Sequence, residues 1–330
     1  MPSIIHDNVV QYAQKCTMIT LYFLLDYTTI SLYYEYNKTK QSEQGKKGRK
    51  AMIKKEMIDN MMIVNGCVFF LGKSKKFDRD LFRAVELLEK ETLTVVERIE
   101  LLHIYQASYH DGGKIERVTS FDSSATNCKF CKAMRKKAEK CAAHICNLCY
   151  DHAAEQYKIN SLNRHSLNML IMQTVAFTVE ELKTVPAGMI NRIDSAGDMP
   201  NSTYAENMVK IAIANSNVRF AFWTKNTLAL IAATDKLGKP ENTVYIQSSE
   251  IIGRPATKAK YFDYVFTVYP DKESVKAAIE NGAAECNGKK CLECGFKCYQ
   301  GTHKAENIAE LLRGVSAAKR DGIKAWLANN

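Results

Sequence analysis

The chain lacks the short motifs that announce the commonest nucleotide and acyl-transfer chemistries. No G-x4-G-K-[ST], no G-x-G-x-x-G and no G-x-S-x-G occurs in its 330 residues. That argues against a phosphate-cradling P-loop, a dinucleotide fingerprint and a nucleophile elbow. A secretory signal is also missing, because Met1-Pro2-Ser3-Ile4-Ile5-His6-Asp7 has no basic segment followed by an apolar one. Long apolar runs are scarce. The best candidate for a membrane span, Met18 to Tyr36, contains Asp26 and Glu35 and is rich in Tyr and Thr, which favours a buried helix or strand pair. The expected setting is a reducing cytoplasm without a membrane partner, and the oligomeric state is left open. Acid is the minority charge: 36 Asp and Glu stand against 46 Lys and Arg, a net charge of +10. Such an excess points to an acidic partner, with nucleic acid the obvious one.

Cysteine is abundant by contrast. Nine of the eleven fall into two clusters: Cys128-x2-Cys131, Cys141 and Cys146-x2-Cys149, then Cys286-x4-Cys291-x2-Cys294-x3-Cys298. Cys16 and Cys67 stand apart. In a reducing compartment, thiols spaced two to four residues apart close around a metal more often than they pair, and an odd total cannot pair fully within one chain. The first cluster admits two readings. Cys128, Cys131, Cys146 and Cys149 match a four-Cys zinc site with Cys141 spare. Alternatively, Cys141, Cys146 and Cys149 give three ligands to a four-iron cluster whose remaining iron is open. The second cluster holds four ligands in thirteen residues, with Gly288 and Gly295 for tight turns, and reads as a ferredoxin-like iron–sulfur quartet or a zinc knuckle. His144, His152 and His303 flank these sites as minor candidate ligands.

Two basic runs stand out. Lys38, Lys40, Lys46, Lys47, Arg49, Lys50, Lys54 and Lys55 read as a solvated connector over residues 37–56. Lys129, Lys132, Arg135, Lys136, Lys137 and Lys140 lie inside the first Cys cluster, where they would lower thiol pKa values or meet phosphate.

Hydrophobic periodicity divides the chain into a small α/β module over 1–112, a β/α region over 113–315 carrying both Cys clusters, and a C-terminal helix or tail over 316–330. In the module, Met61 to Leu71 predicts a hairpin turning at Asn65-Gly66, and Phe77–Glu91 and Thr94–Ser108 predict helices. Further on, strands at Arg117–Phe121, Met189–Asp194, Val218–Trp223, Thr243–Gln247 and Tyr264–Val268 alternate with helices at about 150–183, 204–214, 228–237 and 271–281. Such alternation means βαβ units and a parallel sheet, so the expected fold is an open or partial β/α barrel with Cys-cluster metal sites. Chemistry in that architecture sits at the C-terminal strand ends. Those ends are the first Cys cluster, Ser195-Ala196-Gly197-Asp198, Thr224-Lys225-Asn226 and Ser248-Ser249-Glu250. A plainer reading is that strand ends are polar because loops are.

Cys146-Asn147-Leu148-Cys149-Tyr150, Arg192-Ile193-Asp194-Ser195-Ala196-Gly197-Asp198, Phe220-Ala221-Phe222-Trp223-Thr224-Lys225 and the run Cys286 to Cys298, in that order, resemble the phage "gene product eighty-eight" family. The likeness covers about residues 117–315 and implies a phage or mobile-element context with little functional content. A looser resemblance is to radical S-adenosylmethionine enzymes, which place three cysteines after the first strand of a partial barrel and a Gly-Gly-Glu-type motif after the second. This chain departs from them with C-x4-C-x2-C in place of C-x3-C-x2-C, and with Leu148 where an aromatic is usual.

That resemblance implies an iron–sulfur enzyme using S-adenosylmethionine, possible substrates being nucleic acid or a nucleotide. Cys141, Cys146 and Cys149 would hold its catalytic cluster, and Cys286, Cys291, Cys294 and Cys298 an auxiliary one. Asp198 and Lys225 are the candidate catalytic residues, and Ser195, Gly197, Asp198 and Lys225 the cofactor contacts. The competing expectation is a non-enzymatic zinc protein that binds nucleic acid through Lys132, Arg135, Lys136 and Lys137.

Overall fold

A computed structural model describes residues 53–294 and 298–330. The apolar segment 1–36 and most of the basic connector 37–56 lie outside the described residues.

The chain enters as an antiparallel meander, β1 (Lys55–Ile58), β2 (Met61–Val64) and β3 (Cys67–Phe70). Asn65 and Gly66 turn β2 into β3 with φ of 50° and 79°, the two positive values a two-residue hairpin turn needs. Helix α1 (Lys75–Glu89) begins where the Ser74 side chain accepts from Phe77 N–H. Helix α2 (Val95–Ile104) starts with a capping box between Thr94 and Glu97. The expected hairpin and both helices are present, the second ending earlier than its periodicity suggested. β1 falls partly within the stretch read as connector.

After β4 (Ser108–Tyr109) and β5 (Thr119–Phe121) come α3 (Lys129–Ala138), α4 (Tyr150–Tyr157), α5 (Ile159–Thr174) and α6 (Val179–Leu182). Then follow β6 (Ile190–Ile193), α7 (Ser202–Ala214), β7 (Arg219–Thr224), α8 (Thr227–Leu237), β8 (Thr243–Ser248) and β9 (Tyr264–Tyr269). The chain closes with α9 (Lys272–Glu280), β10 (Ala284–Cys286), β11 (Asn307–Leu311) and α10 (Ala317–Asn329). The single helical stretch expected over 150–183 is three helices. Asn207 explains one break: its amide donates to the carbonyls of Met172 and Val175 at 2.8 and 2.7 Å and accepts from Phe177 N–H at 3.0 Å, satisfying the end of α5. Thr178 and Glu181 then cap the next start.

Strands β10-β11-β9-β8-β7-β6-β5-β4 form one sheet in that order, parallel throughout except for β4 against β5. From β5 to β9 the strands lie side by side in chain order. Stepping always the same way with crossovers of one hand places the connecting helices on one face. The apolar residues agree: Phe121, Ile193, Phe220, Phe222 and Tyr245 point into one core with α5, α7 and α8, a core shared with the meander through Met62, Val64 and Phe69. The alternate side chains Ala221, Trp223, Val244 and Ile246 face the other way, where Tyr299, Cys291 and Cys298 from the second Cys cluster cover them. The expected α/β class with a parallel sheet is therefore present. Strands β4, β10 and β11 carried no periodic signal that was read, β4 and β10 being only two and three residues long.

One glycine fixes how the strand ends meet. Gly197 has φ of 79°, and a Cβ there would lie 2.3 Å from Ser123 Oγ and 2.4 Å from Ser123 O. Gly238 has the same φ with nothing within 4 Å. Gly238→Ala should therefore cost only the left-handed penalty, about 1–2 kcal/mol. Gly197→Ala should cost that and also separate two loops, lowering stability by more than about 3 kcal/mol. Urea unfolding of the two variants checks this, and equal costs would refute the close approach.

Candidate functional site at the carboxyl ends of the strands

The parallel register brings the loops after β5, β6 and β7 to one pole of the sheet. The first is Asp122-Ser123-Ser124, leading to Cys128 and α3. Ser123 is fully buried; its hydroxyl lies 2.9 Å from Asp194 Oδ1 and 2.8 Å from the Asp198 carbonyl, and accepts from Asp198 N–H at 2.9 Å. Asp122 Oδ1 accepts from the Ser195 hydroxyl at 2.6 Å and from Ala196 N–H at 3.0 Å. Asp198 ties in the third loop, accepting from Met199 N–H at 2.8 Å, Lys225 N–H at 2.9 Å and the Thr224 hydroxyl.

Three of the predicted strand-end segments thus converge. Ser195, Gly197 and Asp198 hold the loops together, and both Asp198 oxygens are engaged. The fourth segment joins from the side. Glu250 pairs with Lys137 of α3, and its carbonyl accepts from Ile145 N–H at 2.8 Å beside the second Cys pair.

Lys225 lies within electrostatic reach of this pole. Burial works against its charge, but Asp198 and the thiols of Cys146, Cys131 and Cys149 outweigh it and raise its pKa. Cys131 sits against Cys128: its N–H donates to Cys128 Sγ at 3.4 Å, and the Cys128 thiol and burial push its pKa well up. Cys128 is fully buried, caps α3, and its thiol lies 3.5 Å from the Asp198 carbonyl. Burial raises Cys146 and Cys149, while Lys225 pulls both down. Both Cys-x2-Cys pairs therefore look onto the Asp198–Lys225 pole.

Cys141 does not. It packs beside Ile145 and Leu148 against the apolar cluster of Ala143, Ile252, Leu312 and Ile323. His144 accepts from Cys146 N–H through Nδ1 at 3.2 Å, and its Nε2 is buried 3.8 Å from Glu250. His152 bonds Thr126 Oγ1 at 3.1 Å.

The second cluster gathers at the other face of the sheet. Burial, followed by the neighbouring thiols of Cys291, Cys286 and Cys294, pushes Cys298 to about 12. Lys114 pairs with Glu310 and pulls Cys286 down against its burial. The ten described cysteines are free thiols. Among the described residues, no three His, Cys, Asp or Glu side chains stand close enough together to hold a metal ion as placed. Both quartets nonetheless have the soft, four-thiol donor chemistry that zinc and iron–sulfur clusters take.

The basic run on α3 is partly committed to the protein. Arg135 donates to the Ala125 carbonyl at 2.5 Å and Lys137 pairs with Glu250, while Lys136 stays exposed. Residues 38–52 of the other run lie outside the described residues. Among the described residues no helix is long and apolar enough to cross a membrane, and the segment Met18 to Tyr36 lies outside them.

Sequence reasoning missed the acids and bases around the pole. Asp151, beside Cys149, is raised to about 7 by burial and then by Asp122. Glu155 is buried, accepts from Thr126 N–H at 2.8 Å and bonds His165 Nδ1 at 3.1 Å. Asp194 is buried with φ of 56°, and burial and then Asp198 push its carboxyl well up. The available signal was the polar run Asp122-Ser123-Ser124 directly after a strand.

In metal-free protein, Lys225→Met should slow alkylation of Cys146 and Cys149 several-fold at pH 8, because the cation that pulls their pKa values down is gone. Iodoacetamide labelling followed by peptide mass analysis checks this, and unchanged rates at both thiols would place Lys225 outside their field.

No curated protein and no solved structure matches the chain. A protein family described as Gene product 88 matches residues 90–319, spanning the sheet, the pole and both cysteine clusters. By that match over more than half its length, the chain belongs to the gene product 88 family.

Proposed function

We propose that this chain is an iron–sulfur enzyme built on a partial β/α barrel, with its reacting site at the Asp198–Lys225 pole. One observation carries the reading: Lys225, tied by its N–H to Asp198 at 2.9 Å, lies within electrostatic reach of the thiols of Cys146, Cys131 and Cys149, at the carboxyl ends of parallel strands that run in chain order. A half-buried lysine held among thiols favours negative charge near it, and three metal-bound thiolates would supply that charge.

On this reading the ligands of the first centre are Cys131, Cys146 and Cys149, in place of the set containing Cys141. A cluster bound there with an open iron would supply one-electron chemistry to a sulfonium cofactor such as S-adenosylmethionine. The chain's own residues have simpler tasks. Asp198, Ser123 and Ser195 hold the loops in register. Lys225 offsets thiolate charge and is the group placed to meet a ligand carboxylate. Cys286, Cys291, Cys294 and Cys298 would close an auxiliary centre against the inner face of the sheet. The net charge of +10 and the phage or mobile-element context implied by the family resemblance favour nucleic acid or a nucleotide as substrate.

A second reading has its own support. Cys128 bonds Cys131 and lies at the same pole, so all four thiols of the two Cys-x2-Cys pairs are available to zinc, in a protein that binds nucleic acid without catalysis.

Anaerobic purification, metal and sulfide analysis and an absorbance scan separate the two. The iron reading expects a brown protein that loses one centre in Cys146→Ala and keeps it in Cys141→Ala and Cys128→Ala. The zinc reading expects a colourless protein with about two zinc ions per chain, one of them lost in Cys128→Ala. Loss of the first centre in Cys141→Ala would sink the ligand set shared by both.

A further inference from the structure

Arg192 belongs to the family-like run Arg192-Ile193-Asp194-Ser195-Ala196-Gly197-Asp198 but has no part in the pole described above. On β6 it points to the inner face, in register with Ser120 of β5 on one side and Ala221 of β7 on the other. The guanidinium lies over the Trp223 ring, 4.4 Å from its centroid, and Trp223 packs against Tyr299 at 5.5 Å. Burial works against its charge, while Tyr299, Tyr150, Cys291 and Asp151 favour it.

Yet Arg192 makes no hydrogen bond and no ion pair within 4.0 Å among the described residues, and its Nε is buried without a partner. The side chain as a whole is only partly shielded from solvent. Other half-buried arginines are partnered: Arg98 takes Glu181, Arg164 takes Asp80 and the Ile104 carbonyl, and Arg135 takes the Ala125 carbonyl, while Arg320, whose Nε is also buried without a partner, still reaches the Leu312 carbonyl at 3.4 Å through its Nη2. The acids nearby are not substitutes. Asp122 is bonded by Ser195, Ala196 and Ser120, and Asp151 stays beyond ion-pair distance.

A half-buried guanidinium with one face on an indole and its donor edge unused among the described residues is the geometry that recognises a planar, bidentate oxyanion. We propose that Arg192, backed by Trp223, binds the carboxylate or phosphate of a small anionic ligand on the inner face of the sheet. The ligand's arrival would satisfy the buried Nε, which has no partner in the fold. This inference goes beyond the metal reading, since it holds whichever metal the thiols take.

Trp223 reports on the site. The chain has two tryptophans, so Trp326→Phe leaves Trp223 as the sole indole fluorophore. Protein in that background, with its metals in place, is titrated separately with inorganic phosphate and with acetate at constant ionic strength. A saturable change in Trp223 emission is expected with at least one anion, and which one responds distinguishes phosphate from carboxylate recognition. Arg192→Gln should weaken that response at least about tenfold. Arg192→Lys, which keeps the charge and loses the fork, should weaken it while leaving the melting temperature close to that of the parent. Arg254→Gln, which alters the arginine over Trp326, should leave it unchanged. No saturable response to either anion overturns the proposal, as does a response that survives Arg192→Gln. Loss of metal from the Cys286–Cys298 centre in Arg192→Lys, without any change in anion response, also overturns it and makes Arg192 the counter-charge of Cys291. The metal analysis of the parent protein is independent of these outcomes, so failure here and failure of the iron reading remain distinguishable.

Discussion

The loop after β5 and the loop after β6 touch through Ser123 and Gly197, and the rest of the pole depends on that contact. A backbone approach this close excludes any side chain at position 197, and it puts the Ser123 hydroxyl among Asp194, the Asp198 carbonyl and the Asp198 amide. Asp198 is then held so that its carboxylate reaches the next strand end and accepts from Lys225 N–H. Asp198 thereby pins the Lys225 backbone, and the lysine's charge is felt at the thiols that follow β5. A buried carboxylate missing one of these donors would carry a desolvation cost of about 1–3 kcal/mol. Register among three loops is thereby fixed by hydrogen bonds, where packing alone would leave them free to slide.

The same constraint explains the crowd of ionisable groups. Asp122, Asp194 and Asp198 are all buried near one another, and burial together with mutual repulsion drives Asp194 toward its neutral form. Such a cluster is unfavourable on its own. Lys225 counters it at Asp198, whose carboxylate favours the lysine's charged form. Folds seldom keep uncompensated buried charge where stability is the only demand, so the concentration of strain at the strand ends favours function there over mere loop polarity.

Much of this was legible in the sequence. The alternation of strands and helices gave the parallel sheet, and the Asn65-Gly66 pair gave the hairpin, because both follow from local rules with strong periods. The short strands β4, β10 and β11 were not legible, since two to five residues carry too little pattern to stand out from a loop. The breaks within 150–183 were hidden because one of them depends on Asn207, which is distant in sequence and supplies the cap. At the site, Ser195, Gly197, Asp198 and Lys225 stood out as polar residues after apolar strands. Asp122, Arg192 and Asp151 did not, because their roles come from which loops meet, and spacing along the chain does not encode that.

Cys141 shows where spacing and packing part. By spacing it is a natural third ligand beside Cys146 and Cys149. Its backbone instead closes the turn after α3, with N–H donating to the Ala138 carbonyl at 3.0 Å and its own carbonyl accepting from Asn147 Nδ2 at 2.9 Å. Its neighbours are Ala143, Ile252, Leu312 and Ile323, the last two from the C-terminal end of the chain. To join a metal at the Lys225 pole it would have to leave that apolar cluster and give up those backbone bonds. Cys128 and Cys131 need no such displacement, because α3 already presents both to the Asp198–Lys225 pair. The turn that holds Cys141 beside that cluster also places His144 so that it accepts from Cys146 N–H, so thiols equal in spacing differ in their surroundings.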